Sequence, residues 1–251
     1  DEYENGVKIL PPGNIQPYPQ FDPDGETIGS WGETGSAPGQ FNGPSGIKFD
    51  ADDNLYISDS KNDRVQKFTK DGEYLLGWGE SGSGEGQFDR PWGLCLDGDG
   101  DVYVTDWGNN RVQKFTAEGE YLMSFEGTVM EGADLDHPAG VAVDSEGDVY
   151  VSDWGNQRVQ VMDSDGGFLT KLRGEATPNP WALEYLDAQA DEKAARSTYV
   201  PVFEVDTDDP SEISARIEPY FWDPVTVVID DEDRVYVLET CRHRFQIYER
   251  A

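Results

Sequence analysis

Three observations predict an all-β fold, specifically a β-propeller of four-stranded antiparallel blades. Similar segments recur at an offset of 47 residues, apolar and polar residues alternate within each segment, and clusters of Gly and Asp separate the alternating runs. Alternation over about five residues rich in Val, Ile and Tyr is typical of β-strands. Repeats of about 40 to 50 residues that contain four strands are typical of propeller blades.

Each repeat contains four predicted strands in a fixed order. The first strand carries Pro-x-Gly and covers residues 44–50, 91–97 and 138–144, and the second ends in an acid and covers 54–59, 101–106 and 148–153. The third begins with Arg and covers 64–68, 111–115 and 158–162, and a last strand covers 74–78 and 121–125. A fourth copy begins at Pro224 after an insertion. Gly and Asp between the strands favour the positive φ of tight hairpin turns.

The motifs Gly-Gln-Phe-x-x-Pro-x-Gly, Tyr-Val-x-Asp and Asn-x-Arg-Val-Gln recur in phase and resemble the NHL repeat of β-propeller proteins. The resemblance covers residues 21–172 and 224–248. It implies a propeller of NHL type, here an acidic, halophile-like one. Because NHL proteins include interaction modules, RNA binders and a few enzymes such as amidating lyases, the resemblance implies a fold and leaves the function to the site.

We expect a single domain over residues 1–251. Its parts are an N-terminal closing segment at 21–43, blades at 44–90, 91–137 and 138–172, a helical insertion at 173–223 and a last blade at 224–251. Residues 27–31 match 74–78, so we expect them to complete the last blade and remove an open sheet edge. Phe21 competes with Tyr248 for one strand position, which leaves five or six blades open beside the literal count of four.

The insertion contains two predicted helix starts, at Asn179-Pro180 and at Asp209-Pro210, and an alternating stretch at 198–205. Asp or Asn followed by Pro is typical of the N-cap and first position of a helix. Two helices here would either form a lid over one mouth of the ring or cover an exposed side of the last two blades.

The chain carries 51 acidic and 19 basic residues and a formal net charge of −32 at pH 7. This charge repels nucleic acid, and no apolar run reaches the length of a membrane span. Two cysteines cannot form a disulfide framework or a four-thiolate zinc site. The acids are spread along the chain, which favours a surface adapted to high salt over a local acidic patch. We expect a soluble protein from the cytoplasm of a halophile or secreted from the cell, and its oligomeric state stays undetermined.

An acid and an arginine recur five residues apart at the loop between the second and third strands. They are Asp59 and Arg64, Asp106 and Arg111, Asp153 and Arg158, and Glu239 and Arg244. They would either line a ligand face or pair to brace the loop, and we expect bracing.

Asp97, Asp99 and Asp101 have the spacing of carboxylates in calcium loops, but the later bidentate Glu is missing. We expect a tight turn there and no cofactor, with calcium or another divalent ion as the alternative.

Trp107 and Trp154 occupy the same loop of successive blades, and Trp92 follows the proline of a first strand. Paired tryptophans would form a stacking platform or pack between blades. The fourth copy departs from the repeat at Thr240-Cys241-Arg242-His243, so Arg242 and His243 are further candidates for ligand binding. With only two histidines in the chain, His137 and His243, a three-histidine zinc centre is excluded, and a site of mixed histidine and acidic ligands is the zinc alternative that remains.

From the sequence we therefore expect a non-catalytic NHL-type scaffold that binds a partner protein or a small ligand on one propeller face in high salt. The alternative is a propeller enzyme, lactonase-like or lyase-like, with a carboxylate or metal site at the central channel. Convergent carboxylates around that channel would distinguish the enzyme from the scaffold.

Overall fold

The computed structural model describes residues 18–21, 27–127, 134–174, 188–189, 207–216 and 220–249, with the backbone alone described for 18–21 and 27–31. Within these residues the chain folds as an all-β, four-blade propeller of antiparallel sheets, with one short helix before the last blade. The predicted fold class is confirmed.

The blades follow one another along the chain, and in each blade consecutive strands are hydrogen-bonded neighbours. Blade 1 contains β5 (Pro44–Phe49), β6 (Leu55–Asp59), β7 (Arg64–Phe68) and β8 (Tyr74–Trp78). Blade 2 contains β9 (Pro91–Leu96), β10 (Val102–Asp106), β11 (Arg111–Phe115) and β12 (Tyr121–Phe125). Blade 3 contains β13 (Pro138–Val143), β14 (Val149–Asp153), β15 (Arg158–Met162) and β16 (Phe168–Leu172), and blade 4 contains β17 (Pro224–Ile229), β18 (Val235–Glu239) and β19 (Arg244–Tyr248).

An aspartate fixes the hairpin between the first and second strands of every blade. In blade 2, one carboxylate oxygen of Asp97 accepts the backbone N–H groups of Asp99 and Asp101 at 3.1 and 2.9 Å. Asp50, Asp144 and Asp230 accept the equivalent N–H groups in the other blades. The recurrent Asp in the sequence therefore specifies a turn. Its carboxylate accepts the backbone N–H groups that have no backbone carbonyl as a partner in a tight hairpin.

The glycine of each Pro-x-Gly motif allows the first strands of neighbouring blades to approach closely. A Cβ atom on Gly93 would lie 2.4 Å from the carbonyl oxygen of Ala139, and one on Gly46 would lie 2.5 Å from that of Trp92. On Gly140 it would lie 2.8 Å from the Cα atom of Thr226. No side chain fits at these distances, so glycine here sets the packing of the innermost strands.

Apolar side chains fill the space between successive blades. The cluster between blades 2 and 3 combines Cys95, Tyr103 and Phe125 with Val141 and Val151, all of them buried. Equivalent clusters lie between blades 1 and 2 and between blades 3 and 4. The core is therefore divided among the blade junctions, as the alternation in each strand predicts.

The N-terminal closing strand is the point at which the structure differs from the sequence expectation. β1 (Tyr18–Phe21) and β2 (Thr27–Trp31) form a two-stranded sheet of their own, and the described part of blade 4 has three strands. Phe21 pairs with Thr27 as Phe68 pairs with Tyr74, so β1 and β2 have the register of the outer two strands of a blade. The match of 27–31 to 74–78 identified the strand type, but β2 pairs with its sequence neighbour instead of β19. Two further short strands, β3 (Glu33–Thr34) and β4 (Gln40–Phe41), form a parallel pair before blade 1.

The second predicted helix start is correct. Helix α1 (Pro210–Arg216) begins after Asp209, whose carboxylate accepts the N–H groups of Ser211 and Glu212 at 2.8 and 3.3 Å. The predicted helix that starts at Asn179 and the alternating stretch at 198–205 lie outside the described residues. Among the helices in the described part of the chain, none is long and apolar enough to cross a membrane.

Candidate binding site on the loop face

The loops that join the second and third strands lie at one end of the propeller, which we call the loop face. These loops cover residues 60–63, 107–110, 154–157 and 240–243. The first strand of each blade also starts at this end, since Pro91 pairs with Asp106 and Pro138 pairs with Asp153. The loop face therefore combines four repeated loops with the segments that lead into the blades.

The predicted acid–arginine pairs form directly beneath the loop face. The Nε atom of each arginine lies 2.6 to 2.9 Å from its partner carboxylate, in the pairs Arg64–Asp59, Arg111–Asp106, Arg158–Asp153 and Arg244–Glu239. All four acids are buried, and the other carboxylate oxygen accepts a backbone N–H from the segment that leads into the same blade. This buried arrangement favours bracing over ligand contact.

Each arginine also binds a backbone carbonyl 24 residues before it. Arg111 donates from Nη2 to the carbonyl oxygen of Gln87 at 2.9 Å, and Arg64 donates to that of Gln40 at 2.8 Å. Arg158 and Arg244 make the equivalent bonds to Asp134 and Tyr220. The guanidinium thus connects the loop, the third strand and the lead-in segment, which explains why Arg recurs at one position in the repeat.

A second repeated contact joins neighbouring blades at the loop face. Arg90, His137 and Asp223 each precede the first strand of a blade and have positive φ angles of 56°, 52° and 57°. Their backbone N–H groups donate to a side chain on the preceding blade: Asp63 at 2.8 Å, Asn110 at 2.9 Å and Gln157 at 2.7 Å. Positive φ is uncommon for residues other than glycine, so this bond holds the lead-in residue in a specific orientation.

The orientation of the lead-in residues creates a stack of side chains across blades 2 and 3, which we call the ladder. The central carbon of the Arg90 guanidinium lies 4.4 Å from the ring centroid of Trp107. The ring centroid of His137, which leads into the neighbouring blade 3, lies 4.1 Å from that of Trp107. His137 also contacts Trp154 edge-on at 6.2 Å, and the two tryptophan rings are 6.5 Å apart. The structure therefore brings together the two predicted tryptophans, both half-buried.

Sequence reasoning did not assign Arg90 and His137 to the site. The available signal was their shared position: both immediately precede the proline of a first strand and are separated by the repeat offset of 47. His137 was considered only as a metal ligand, and in the structure its Nδ1 atom lies 2.5 Å from a carboxylate oxygen of Asp136.

Arg242 and His243 lie on blade 4, and their described contacts are separate from the ladder. Arg242 donates to the carbonyl oxygen of Ser214 in α1 at 2.7 Å, and its guanidinium lies 5.6 Å from the ring of Trp222. His243 is exposed, has a φ of 51°, and lines a shallow cavity together with Leu238 and Phe245. Arg242 therefore connects blade 4 to the insertion, and neither residue contacts Trp107 or Trp154.

Trp92 lies in the central channel instead of the ladder. The channel has a volume of about 410 Å³ and is lined by the first strands of all four blades, and 47% of Trp92 is exposed there. Its described wall contains Lys48 and Cys95 but no carboxylate and no imidazole. Burial raises the pKa of Cys95 to about 12, so its thiol stays protonated at neutral pH.

The three carboxylates considered for calcium are arranged as a turn. The Nζ atom of Lys114 lies 3.1 Å from Asp97 and 2.9 Å from Asp101, so two of the acids already share one ammonium partner, while Asp99 is exposed. Across the described residues, no group of three or more His, Cys, Asp or Glu side chains is placed to hold a metal ion. This turn lies at the end of the blade opposite the loop face, because it joins the first strand to the second.

The fold and the loop face define the class of protein: a β-propeller whose blades are copies of one sequence unit. The NHL repeat family model matches residues 41–68, 88–115, 135–162 and 221–248, one match in each blade. No curated protein sequence matches the chain.

Several solved structures are similar to the chain at low identity. A streptogramin B lyase structure has 14% identity and a TM-score of 0.48, and covers 85% of this chain and 56% of its own. Catalytically inactive virginiamycin B lyase from Staphylococcus aureus with quinupristin has 14% identity and a TM-score of 0.48, with 82% and 55% covered. A protein of unknown function from Bacteroides caccae has 18% identity and a TM-score of 0.42, with 50% and 47% covered. The chain spans about half the length of these structures, and such likeness says nothing about activity.

Proposed function

We propose that the chain is a non-catalytic NHL-type scaffold that binds a partner protein or a small ligand through its loop face. The observation that carries this proposal is the ladder, in which Trp107 and Trp154 from two blades lie half-buried beside each other. Tryptophan combines a large rigid apolar surface with one N–H donor and is enriched among the residues that dominate binding interfaces. Asn110 accepts the backbone N–H of His137, whose ring stacks on Trp107, so this part of the surface is organised before a partner arrives.

The composition of the channel supports a scaffold over the enzyme alternative. That alternative places carboxylates or a divalent metal at the channel mouth, whereas the described channel wall is formed by apolar side chains, glycine, Ser45, Thr226 and Lys48. The buried acids beneath the loop face are already bonded to arginine and to backbone N–H groups, so they have structural partners in place of a substrate.

We further propose that this scaffold works in high salt. The net charge of −32 produces strong self-repulsion in dilute buffer. Exposed acids lie at the tips of hairpins in every blade, among them Asp52, Asp71, Asp99, Glu118, Glu146, Asp165 and Asp231. Their dispersal over all blades supports an adaptation of the whole surface, because at molar salt the screening length falls to about 3 Å.

The binding proposal is tested by affinity capture from an extract of the source cells in molar salt. The wild-type chain is compared with Trp107→Ala, Trp154→Ala and the control Leu122→Ala, which changes an exposed apolar residue on the outer strand of blade 2. We expect a partner that the wild type and the control retain and that both tryptophan variants lose. Equal retention by all four chains would contradict a role for the loop face, and turnover of a substrate at the channel would favour the enzyme.

A further inference from the structure

The ladder contains a repeated position at which one blade differs from the others. The lead-in residue with positive φ is Arg90 in blade 2 and His137 in blade 3, and both place a nitrogen-containing side chain against a tryptophan ring. In blade 4 the same position is Asp223. Trp107 is therefore contacted by Arg90 and by His137, whereas the blade 4 neighbour of Trp154 carries a carboxylate.

Gln157 links the backbone of Trp154 to Asp223. Its Nε2 atom donates to the carbonyl oxygen of Trp154 at 2.6 Å and to a carboxylate oxygen of Asp223 at 3.3 Å, and its Oε1 atom accepts the N–H of Asp223 at 2.7 Å. The other carboxylate oxygen of Asp223 accepts a hydrogen bond from Cys241 at 2.9 Å. Among the described residues, the carboxylate of Asp223 is bonded to Gln157 and Cys241, neither of them a cation, and Asp223 lies half-exposed on the loop face.

A cation placed between a carboxylate and the negative face of an indole ring is attracted by both groups. The ladder shows the geometry with its own groups, since the guanidinium of Arg90 stacks on Trp107 while its Nε atom lies 3.0 Å from a carboxylate oxygen of Asp89. At the junction of blades 3 and 4, Trp154 supplies an aromatic ring, and Asp223, which stands at the position of Arg90 in the repeat, supplies a carboxylate in place of the guanidinium.

We propose that Trp154 and Asp223 form a binding position for an arginine side chain of a partner protein, which would continue the ladder by one step. Guanidinium is favoured over ammonium because its planar group stacks on an aromatic face while its fork of N–H donors reaches a carboxylate. This inference rests on the proposed function and adds the chemistry of the partner: an exposed segment that contains arginine.

The test is a titration of the wild-type chain with the peptide acetyl-Gly-Arg-Gly-amide and with the same peptide carrying citrulline, which keeps the planar group but has no charge. Binding is followed by chemical shifts of the Trp154 indole in NMR spectra in molar salt, the condition in which the chain is expected to be folded. We expect saturable shifts with the arginine peptide and none with the citrulline peptide. Because this comparison uses the unchanged protein, a folding defect cannot produce its result.

Substitutions then show which residues form the binding position. Asp223→Asn and Trp154→Leu are expected to weaken arginine binding about fivefold, while Asp99→Asn, which removes an exposed acid at the opposite end of blade 2, leaves binding unchanged. Equal binding of the citrulline peptide, an equal effect of Asp99→Asn, or no saturation up to the solubility of the peptide would overturn the inference. A partner captured through Trp107 in the absence of arginine binding would leave the proposed function intact and remove only this inference.

Discussion

The guanidinium of Arg111 lies 2.8 Å from the carboxylate of Asp106, and both side chains are buried under the loop face of blade 2. The same arginine donates to the carbonyl oxygen of Gln87, in the segment that leads into blade 2. One side chain therefore pairs with a buried carboxylate and also holds the lead-in segment in place. Three other blades repeat the arrangement. Because the acid is buried in every blade, we expect these pairs to contribute to the stability of the propeller.

Replacing Arg111 with Ala should therefore destabilise the protein strongly. The change leaves the carboxylate of Asp106 buried without its charged partner, which costs about 3–5 kcal/mol. For a chain of this size we expect a fall in melting temperature of roughly 6–20 °C, measured by circular dichroism in molar salt. The matched control is Arg234→Ala, which removes a half-exposed arginine paired with Asp230 and should leave the melting temperature close to that of the wild type. Equal melting temperatures for the wild type and Arg111→Ala would show that the pair contributes nothing to stability.

Gly93→Ala tests the close approach of the innermost strands. The added methyl group would lie 2.4 Å from the carbonyl oxygen of Ala139, a backbone atom that cannot move without shifting β13. We expect a loss of about 1–3 kcal/mol in the free energy of unfolding, as for other overpacked positions. Gly98→Ala is the control, because a Cβ atom there meets nothing within 4 Å. Chemical denaturation of both variants would decide the point, and a tolerated Gly93→Ala would mean that the blades can move apart.

The free energy of unfolding should decrease at alkaline pH because Tyr103 in blade 2 is buried in its protonated form. Burial raises the pKa of Tyr103 to about 12, with neighbouring Asp97 adding to the effect and Lys114 opposing it. A group whose pKa is raised on folding stabilises the folded state at low pH, and this contribution is lost as the pH rises from about 10, the value in the unfolded chain, towards 12. Denaturation between pH 9 and 12 should show this loss, and Tyr103→Phe should flatten it. Identical pH profiles for the two proteins would contradict the assignment.

Salt should raise the stability of the whole chain. Screening of the net charge of −32 relieves repulsion among acids that are spread over all blades. We expect the melting temperature to increase from dilute buffer to about 3 M potassium chloride, with most of the structure lost in dilute buffer. A chain that is equally stable without salt would indicate that the acids form a local binding patch instead.

The repeat allowed the blades, their strand order and the acid–arginine pairs to be predicted, because each of these is encoded within one copy of the unit. Contacts that depend on two copies were harder to predict. The stacking of His137 on Trp107 joins two blades. Its only signal in the sequence is that Arg90, His137 and Asp223 occupy the same position of the repeat but differ in residue type. The pairing of β2 was mispredicted for the same reason: a match to 74–78 specifies the kind of strand but not which neighbour it pairs with.

The two cysteines should react at very different rates, which provides a test of the site around Asp223. Cys95 is buried and its pKa is raised to about 12, whereas Cys241 is exposed and its pKa is raised by its hydrogen bond to Asp223. Because thiolate is the reactive form, a thiol reagent such as DTNB should label one cysteine per folded chain at neutral pH, and label it more slowly than a free thiol. Asp223→Asn removes the carboxylate that disfavours the thiolate, so this variant should be labelled faster, while Asp99→Asn should not change the rate. An unchanged rate in Asp223→Asn would show that Cys241 and Asp223 do not interact in solution, and labelling of both cysteines in the folded chain would contradict the burial of Cys95.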